Sequence, residues 1–143
     1  MMRNGRPGEQ KFSPGELMYR RYVQEDFDGD SLKPARFSIP PSLNREQYSQ
    51  PEDVIFSEMG EFDHHGVLEC NVEGLAVTVL DDRQMEYIFV PVHLPEENNY
   101  SHSEMWADCT QTQQRMERPS RIARKTYRTM VSRRFKVRIT SKK

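Results

Sequence analysis

The sequence lacks any long apolar run and has little cysteine. No apolar segment approaches the roughly 20 residues of a membrane-spanning helix, and Met1–Gln10 has no hydrophobic stretch like that of a secretory signal. Cys70 and Cys109 are far apart and outside any CxxC or Cys/His spacing. A disulfide framework and a zinc knuckle are therefore unsupported, and we expect two buried, reduced thiols in a cytoplasmic protein that makes no membrane contact.

Recognised functional motifs are missing as well. The chain has no RNP-like aromatic pattern, no GXXG, no zinc finger and no helix-turn-helix pattern. Asp28 and Asp30 have the spacing of a calcium loop, but no later Gly and bidentate Glu complete it. Because no complete catalytic or metal signature is present, we expect neither a cofactor nor a metal.

Charge is sorted along the chain. Gln24 to Asp108 contains nineteen Asp or Glu against four Lys or Arg, whereas Arg115 to Lys143 contains twelve Lys or Arg and the single acid Glu117. The overall charge of −1 therefore hides an acidic body followed by a basic C-terminal element, residues 115–143. Such a layout indicates a partner of opposite charge or neutralisation within the molecule.

The basic C-terminal element is the main candidate binding site. Spacings of three, four and seven residues bring four of its cations onto one stripe of a helix, opposite Ala123, Tyr127, Met130 and Val131. The candidate contact residues are Arg121, Arg124, Lys125, Arg128, Arg133, Arg134, Lys136 and Arg138. They predict an accessory protein or subunit of a larger complex that contacts the backbone of nucleic acid, RNA included, or an acidic protein. A merely solvated helix face and neutralisation by the protein's own acids are the alternatives.

The predicted fold is one α+β domain, residues 16–143, after a flexible leader, residues 1–15. We expect a mainly antiparallel sheet with helices packed on one face and a basic C-terminal helix and strand. The predicted first half comprises a strand in Glu16–Phe27, a turn at Asp28–Ser31, a strand at Ala35–Ile39 and a helix from the capping box Ser49–Glu52 to about Glu58. Val54, Ile55 and Met59 of that helix are expected to face inward.

The second half begins with the most secure β pattern. Val67–Leu80 predicts one long bent strand or two abutting strands, and Asp81–Gln84 closes a hairpin onto Met85–His93, which we place at the centre of the sheet. The remaining predicted elements are a helix from the capping box Ser101–Glu104 to about Arg118, a helix at Ser120–Ser132 and a strand in which Phe135, Val137 and Ile139 alternate with cations.

Histidines provide the alternative, catalytic hypothesis. His93 ends the predicted central strand and His102 lies in the next capping box, so both are candidate catalytic residues of a hydrolase or nuclease, with or without a metal. Asn99 and Glu104 are expected near them, and Asp63 and His64 are further possible ligands. In this hypothesis the basic C-terminal element holds a phosphate-bearing substrate.

A second candidate cluster of arginines and polar side chains spans the start of the acidic body and the residues just before it. Its members are Arg20, Arg21, Arg36, Ser38, Asn44, Arg45 and Tyr48. Paired arginine forks there can hold a phosphate-bearing ligand or nucleotide. Alternatively, Arg36 and Arg45 each neutralise a neighbouring carboxylate such as Glu46, Glu52 or Asp53.

Three segments carry a resemblance. LKPARFSIP (32–40), SLNREQYS (42–49) and VHLPEENNYSHSE (92–104) together resemble small bacterial proteins to which no activity is attached. The resemblance covers about Leu32 to Glu104 and leaves the basic C-terminal element outside it. It implies a bacterial accessory protein encoded within a larger gene module and carries no site residue across.

Overall fold

The computed structural model describes residues 11–142 and, for the backbone alone, residues 2–3 and 6–7. The strands are β1 Met2–Arg3, β2 Arg6–Pro7, β3 Leu17–Tyr22, β4 Phe27–Asp28, β5 Ser31–Leu32, β6 Ser42–Arg45, β7 Gly66–Asn71, β8 Thr78–Leu80, β9 Glu86–His93, β10 His102–Cys109, β11 Gln114–Met116 and β12 Lys136–Ile139. The α-helices are α1 Pro51–Val54, α2 Val72–Leu75 and α3 Arg121–Val131. The prediction of a leader and one domain stays a prediction, because most of residues 1–10 lie outside the described residues.

An antiparallel sheet organises these elements. Its strand order is β12-β7-β3-β6-β10-β9-β8, and β11 pairs with the end of β10. The predicted mixture of helices with a mainly antiparallel sheet is therefore confirmed. No helix in the described residues is both long and apolar enough to cross a membrane.

The main core lies between the sheet and α3. Alternation along β9 and β10 turns Tyr87, Phe89 and Ala107 to the same buried face, since every second residue of a strand points the same way. The ring of Tyr127 on α3 stacks on Phe89 with centroids 3.7 Å apart, and the Tyr127 hydroxyl donates to the carbonyl of Leu75 at 2.9 Å. These contacts fix which face of α3 is buried.

Helix α1 contacts the opposite face of the sheet from α3. Val54 of α1 clusters with Tyr19 and Val67, which alternate with the core residues Met18 and Leu68 along their strands. The prediction that the helices pack on one face is therefore not confirmed.

Local turn and cap signals are confirmed at several elements. Gly29, with φ 63°, lies in the turn between β4 and β5, and the β8–β9 hairpin pairs Val79 with Tyr87. The helix predicted at Ser120–Ser132 and the final strand are present as α3 and β12. Cys70 and Cys109 are free and buried, as expected.

The predicted helix from Ser101 to Arg118 is wrong. That segment forms β10 and β11, which pair as a hairpin with Cys109 opposite Gln114. Along β10 the buried Ser103, Met105 and Ala107 alternate with less buried neighbours, which is the period of a strand. The capping-box pattern at Ser101–Glu104 was outweighed by this pairing with β9 and β6.

Five other expectations are corrected. Val67–Leu80 is interrupted by α2, and the β8–β9 hairpin lies at an end of the strand order rather than at its centre. Pro34–Arg36 is a 3₁₀ turn, so the strand of this region is β6, after Pro41. Helix α1 ends at Val54, and Met59 is 88% exposed.

Candidate functional site

The basic face of α3, defined as Arg121, Arg124, Lys125 and Arg128, is positioned by the cap of the helix. The Ser120 hydroxyl accepts from the amide of Ala123 at 3.4 Å and donates to Oδ2 of Asp81 at 2.9 Å. Ala123, Tyr127 and Val131 are buried on the opposite side. Arg121 and Lys125 are consequently exposed, and Arg124 and Arg128 are half-buried.

Few of the candidate cations are paired with carboxylates. Nε of Arg128 donates to the carbonyl of Phe37 and Nη1 of Arg134 to that of Gly74, each at 2.9 Å. Nε of Arg138 lies 3.8 Å from Oε1 of Glu69. Within residues 11–142, the other candidate cations have no carboxylate within ion-pair distance: Arg121, Arg124, Lys125, Arg133 and Lys136.

Cations crowd one another around Arg124. Burial lowers the pKa of Arg124 below its ordinary value, and the positive charges of Arg118, Arg128 and Arg121 lower it further. Its Nε is buried without a hydrogen-bond partner. Around Arg133, Arg134 and Lys136 the surface differs, because Glu69 and Glu73 line the same depression.

His93 is enclosed by aromatic rings. It is 5% exposed, stacks on Tyr48 with centroids 5.4 Å apart and meets Tyr100 edge-on at 5.2 Å. Neither ring nitrogen has a hydrogen-bond partner. Burial, followed by the charge of Arg45, lowers the pKa of His93 to about 4, so the imidazole is neutral and packed rather than open to a ligand.

His102 has a different environment. Its Nδ1 lies 3.3 Å from Oγ of Ser42 and its Nε2 lies 3.1 Å from Oε2 of Glu104. The indole of Trp106 donates to the other oxygen of that carboxylate at 2.8 Å. Antiparallel pairing of β6 with β10, which sets Ser42 opposite Glu104, produces this row. Because the carboxylate of Glu104 accepts a hydrogen bond from Nε2–H, Nδ1 is the nitrogen that can accept from Ser42.

The expected convergence of the histidines is incomplete. The carbonyl of Asn99 accepts from the amide of His102 at 3.2 Å, while its side chain bonds to Asn44, with Nδ2 2.6 Å from Oδ1. His64 lies instead against His65 in the loop before β7. In the part of the chain that the structure describes, no three His, Cys, Asp or Glu side chains are grouped to hold a metal ion.

The second sequence cluster separates into two sites. Arg20, Arg21, Arg36, Ser38 and Asn44 line one cavity of about 520 Å³. Arg45 is fully buried elsewhere, with its Nε and Nη2 bonded to the two carboxylate oxygens of Glu16 at 2.9 and 2.8 Å, and Tyr48 belongs to the rings around His93. The predicted neutralisation of Arg45 is therefore confirmed, although its partner is Glu16 and not a neighbour in sequence.

Three further residues of these sites carry no local sequence signal. Ser42, His65 and Asp26 are brought in by strand pairing and loop packing. Sequence reasoning does not place them, since Ser42 lies sixty positions from His102, and Asp26 and His65 reach the cavity through loop packing. No protein-family model, curated protein or solved structure matches this chain.

Proposed function

We propose that this chain is a small cytosolic accessory protein that binds the phosphate backbone of nucleic acid through its basic C-terminal element. The contact residues would be Arg121, Arg124, Lys125, Arg128, Arg133, Arg134, Lys136 and Arg138. The observation that carries the proposal is that α3 groups Arg121, Arg124, Lys125 and Arg128 on one face, where no described carboxylate pairs with them. Burial, followed by neighbouring positive charges, lowers the pKa of Arg124. A polyanion relieves this repulsion and releases its own counterions on binding.

The basic face of α3 contributes more to this proposal than the strand that follows. Arg121 and Lys125 project from the exposed side of α3, where their donors are free of described carboxylates. Arg133, Arg134 and Lys136 share their depression with Glu69 and Glu73, which reduces the positive potential there. Guanidinium forks match phosphate oxygens, so affinity with little base discrimination is expected.

Fluorescence anisotropy with a labelled, nonspecific single-stranded RNA tests the proposal. The double variant Arg121→Gln, Lys125→Gln removes two exposed charges. If each of these cations neutralises a phosphate, the slope of log affinity against log salt falls in magnitude by about 0.7 for each cation removed. Affinity at low salt should fall together with the slope.

Arg115→Gln is the matched control. It removes one positive charge, where the double variant removes two, but Arg115 is already bonded through Nε and Nη2 to Asp108 at 2.7 and 3.0 Å. Its salt slope should equal that of the wild type. An unchanged slope in the double variant contradicts the proposal, and binding to polyglutamate with no binding to RNA would indicate an acidic protein partner instead.

A second candidate function is a histidine-dependent hydrolase, with a site around His93 and His102. The row Ser42–His102–Glu104 favours it, because a hydroxyl, an imidazole and an orienting carboxylate in hydrogen-bond reach resemble an activated nucleophile. In that reaction Oγ of Ser42 would bond to the carbonyl carbon of an ester and pass its proton to Nδ1. The leaving alcohol would take that proton as the ester bond breaks, and water would then hydrolyse the acyl-enzyme. His93 lies beside this row, with its pKa lowered in part by His102.

Covalent labelling with a fluorophosphonate tests the hydrolase. An activated Ser42 would displace fluoride and add the phosphonyl mass to the intact protein, and His102→Ala should slow that labelling by at least tenfold. The exposed Ser31, which has no histidine beside it, provides the control variant Ser31→Ala. Equal labelling of wild type and Ser42→Ala would eliminate this candidate.

A further inference from the structure

We propose that the cavity between β3 and residues 35–44 binds a phosphate monoester, held by Arg20, Arg21 and Arg36. This arginine cavity is lined by those three residues with Asp26, Ser38, Ser42, Asn44 and His65 among others. It is distinct from the basic face of α3 and does not depend on the function proposed for that face.

Proline creates the space for the arginine cavity. β3 pairs with β6 only through Met18 and Tyr19, so Arg20 to Tyr22 have no partner strand on that edge. Pro40 and Pro41 precede β6 and have no amide hydrogen with which to continue the ladder. The chain therefore diverges from β3 at this point, and the gap lies beside consecutive arginines.

The arginines are held in place but keep free donors. Nη2 of Arg20 donates to the carbonyl of Arg36 at 2.9 Å, and Nη1 of Arg21 donates to that of Val54 at 3.2 Å. Nε of Arg36 bonds to Oδ1 of Asp26 at 2.8 Å. Since a guanidinium has five donor hydrogens, each group retains donors for an anion.

Two of the guanidiniums stack on aromatic rings. The guanidinium carbon of Arg20 lies 4.4 Å from the ring centre of Phe37, and that of Arg21 lies 3.9 Å from the ring centre of Phe62. Stacking of this kind restrains the planes of the forks before any ligand arrives. Little side-chain entropy then remains to be lost on binding.

The charge of the cavity wall suits a dianion. Arg20, Arg21 and Arg36 line the cavity together with the carboxylate of Asp26, and Glu61 is the carboxylate that acts on Arg21. Burial lowers the pKa of Arg20 and Arg21. Arg20 is half-buried, so its charge is partly shielded from water, whereas Arg21 is exposed. Burial, with the charges of His64 and Arg21, also lowers the pKa of His65, so this imidazole adds no positive charge near neutral pH. A bound anion would offset the lost hydration of Arg20.

The size and the remaining wall indicate the class of ligand. At about 520 Å³ the cavity exceeds a lone phosphate and falls in the range of small-molecule sites. Ser38, Ser42 and Asn44 supply hydroxyl and amide groups beside the arginines. A phosphate monoester of a polar molecule matches both the arginines and the hydroxyl and amide groups. Its phosphate is close to a dianion near neutral pH and suits the arginines, and its polar remainder can bond to the other groups.

Isothermal titration calorimetry on the full chain tests the arginine cavity with inorganic phosphate and glycerol 3-phosphate, against chloride of equal ionic strength. We expect both phosphates to bind, and Arg21→Gln and Arg36→Gln each to weaken binding by about tenfold or more through loss of a charge-assisted hydrogen bond. Arg36→Lys, which keeps the charge but loses the fork, should bind less tightly than the wild type.

Arg115→Gln is the control for location, because Arg115 is bonded to Asp108 outside both the arginine cavity and the basic face of α3, and it should bind phosphate like the wild type. Loss of phosphate binding in that control, or equal binding by wild type and both arginine variants, would overturn the proposal, as would no binding by the wild type. If circular dichroism shows that an arginine variant is unfolded, Ser38→Ala decides instead, because Ser38 is exposed and has no described hydrogen bond. Its affinity should fall severalfold, and unchanged affinity would overturn the proposal.

Discussion

At the scale of single residues, the buried pair of Arg45 and Glu16 illustrates how one contact gives an arginine a structural role. Arg45 is fully buried, and besides both oxygens of Glu16 its Nη2 bonds to the carbonyl of Lys11 at 2.8 Å. The ring of Phe12 covers its guanidinium at 3.7 Å. The sequence suggested either a phosphate ligand or a neutralised charge for this residue. Because the guanidinium of Arg45 has no solvent access and already bonds to several acceptors, its charge is neutralised within the protein.

Removal of this arginine should be costly. Arg45→Met leaves the carboxylate of Glu16 buried without its partner, and we expect a loss of about 3–5 kcal/mol in the free energy of unfolding. The exposed pair of Arg115 and Asp108 supplies the comparison, since Arg115→Gln should cost less than about 1 kcal/mol. Urea denaturation measures both values. Similar losses in the two variants would contradict the assignment.

His93 should make stability depend on pH. Its folded pKa of about 4 lies below the ordinary 6.5, so the unfolded chain binds the proton more readily. The stability that His93 contributes is thus present above about pH 6.5 and is lost as the pH falls towards about 4. Arg45, Glu16 and His102 are the charged or titratable groups that act on it.

The variant His93→Phe should flatten this dependence, because a phenyl ring keeps the packing between Tyr48 and Tyr100 without a titrating group. Urea midpoints across that pH range measure the effect, with the exposed His64 replaced in His64→Gln as the control. A slope that His93→Phe leaves as steep as in the wild type would refute the prediction.

At the scale of elements, the hairpin of β10 and β11 and helix α3 respond differently to local signals. Ser101–Glu104 carries a capping-box pattern, yet β10 forms there because both of its edges find partner strands. Ser120 carries an equally local signal, and α3 begins there with the serine as its cap. Pairing with distant strands outweighs a cap where such strands exist, and the cap prevails where the helix instead packs on a finished sheet.

The cap of α3 should contribute measurably to stability. Ser120→Ala removes the acceptor for the amide of Ala123 and the donor to Asp81, and we expect a loss of about 1 kcal/mol. Thr129→Ala is the control within the same helix, because the exposed Thr129 bonds only to the carbonyl of Lys125, and its effect should stay within about 0.5 kcal/mol. Thermal or urea denaturation compares them, and equal effects would count against a capping role.

At the scale of the whole molecule, the strand order of the sheet determines which strands are best protected and where the candidate sites lie. β10 lies inside the sheet, paired with β9 on one edge and with β6 and β11 on the other, whereas β8 and β12 end the strand order. The arginine cavity and the row of Ser42, His102 and Glu104 both depend on β6, which joins β3 to β10. The cations of α3 lie outside the sheet, on the penultimate element of the chain.

Hydrogen exchange should reproduce this order. Amides of β10 are expected to exchange most slowly, because opening them requires disruption of both neighbouring strands, while amides of β8 and β12 exchange faster. Mass spectrometry of peptides from residues 102–109 and 136–139 makes the comparison. Exchange in 102–109 that is as fast as in 136–139 would contradict the strand order.

The sequence by itself determined the charge asymmetry, the β8–β9 hairpin, α3 and β12. The charge asymmetry follows from local composition alone. The hairpin, α3 and β12 each depend on periodicity or on turn and cap chemistry within a few residues, such as the turn before Met85 and the serine cap of α3. The tertiary structure alone decided that Ser42 meets His102, sixty positions away, and that Arg20 and Arg36 enclose one cavity while Arg45 binds Glu16. Strand pairing over long separations produces these contacts, and it depends on which edges remain free when the sheet assembles, a property that no short segment encodes.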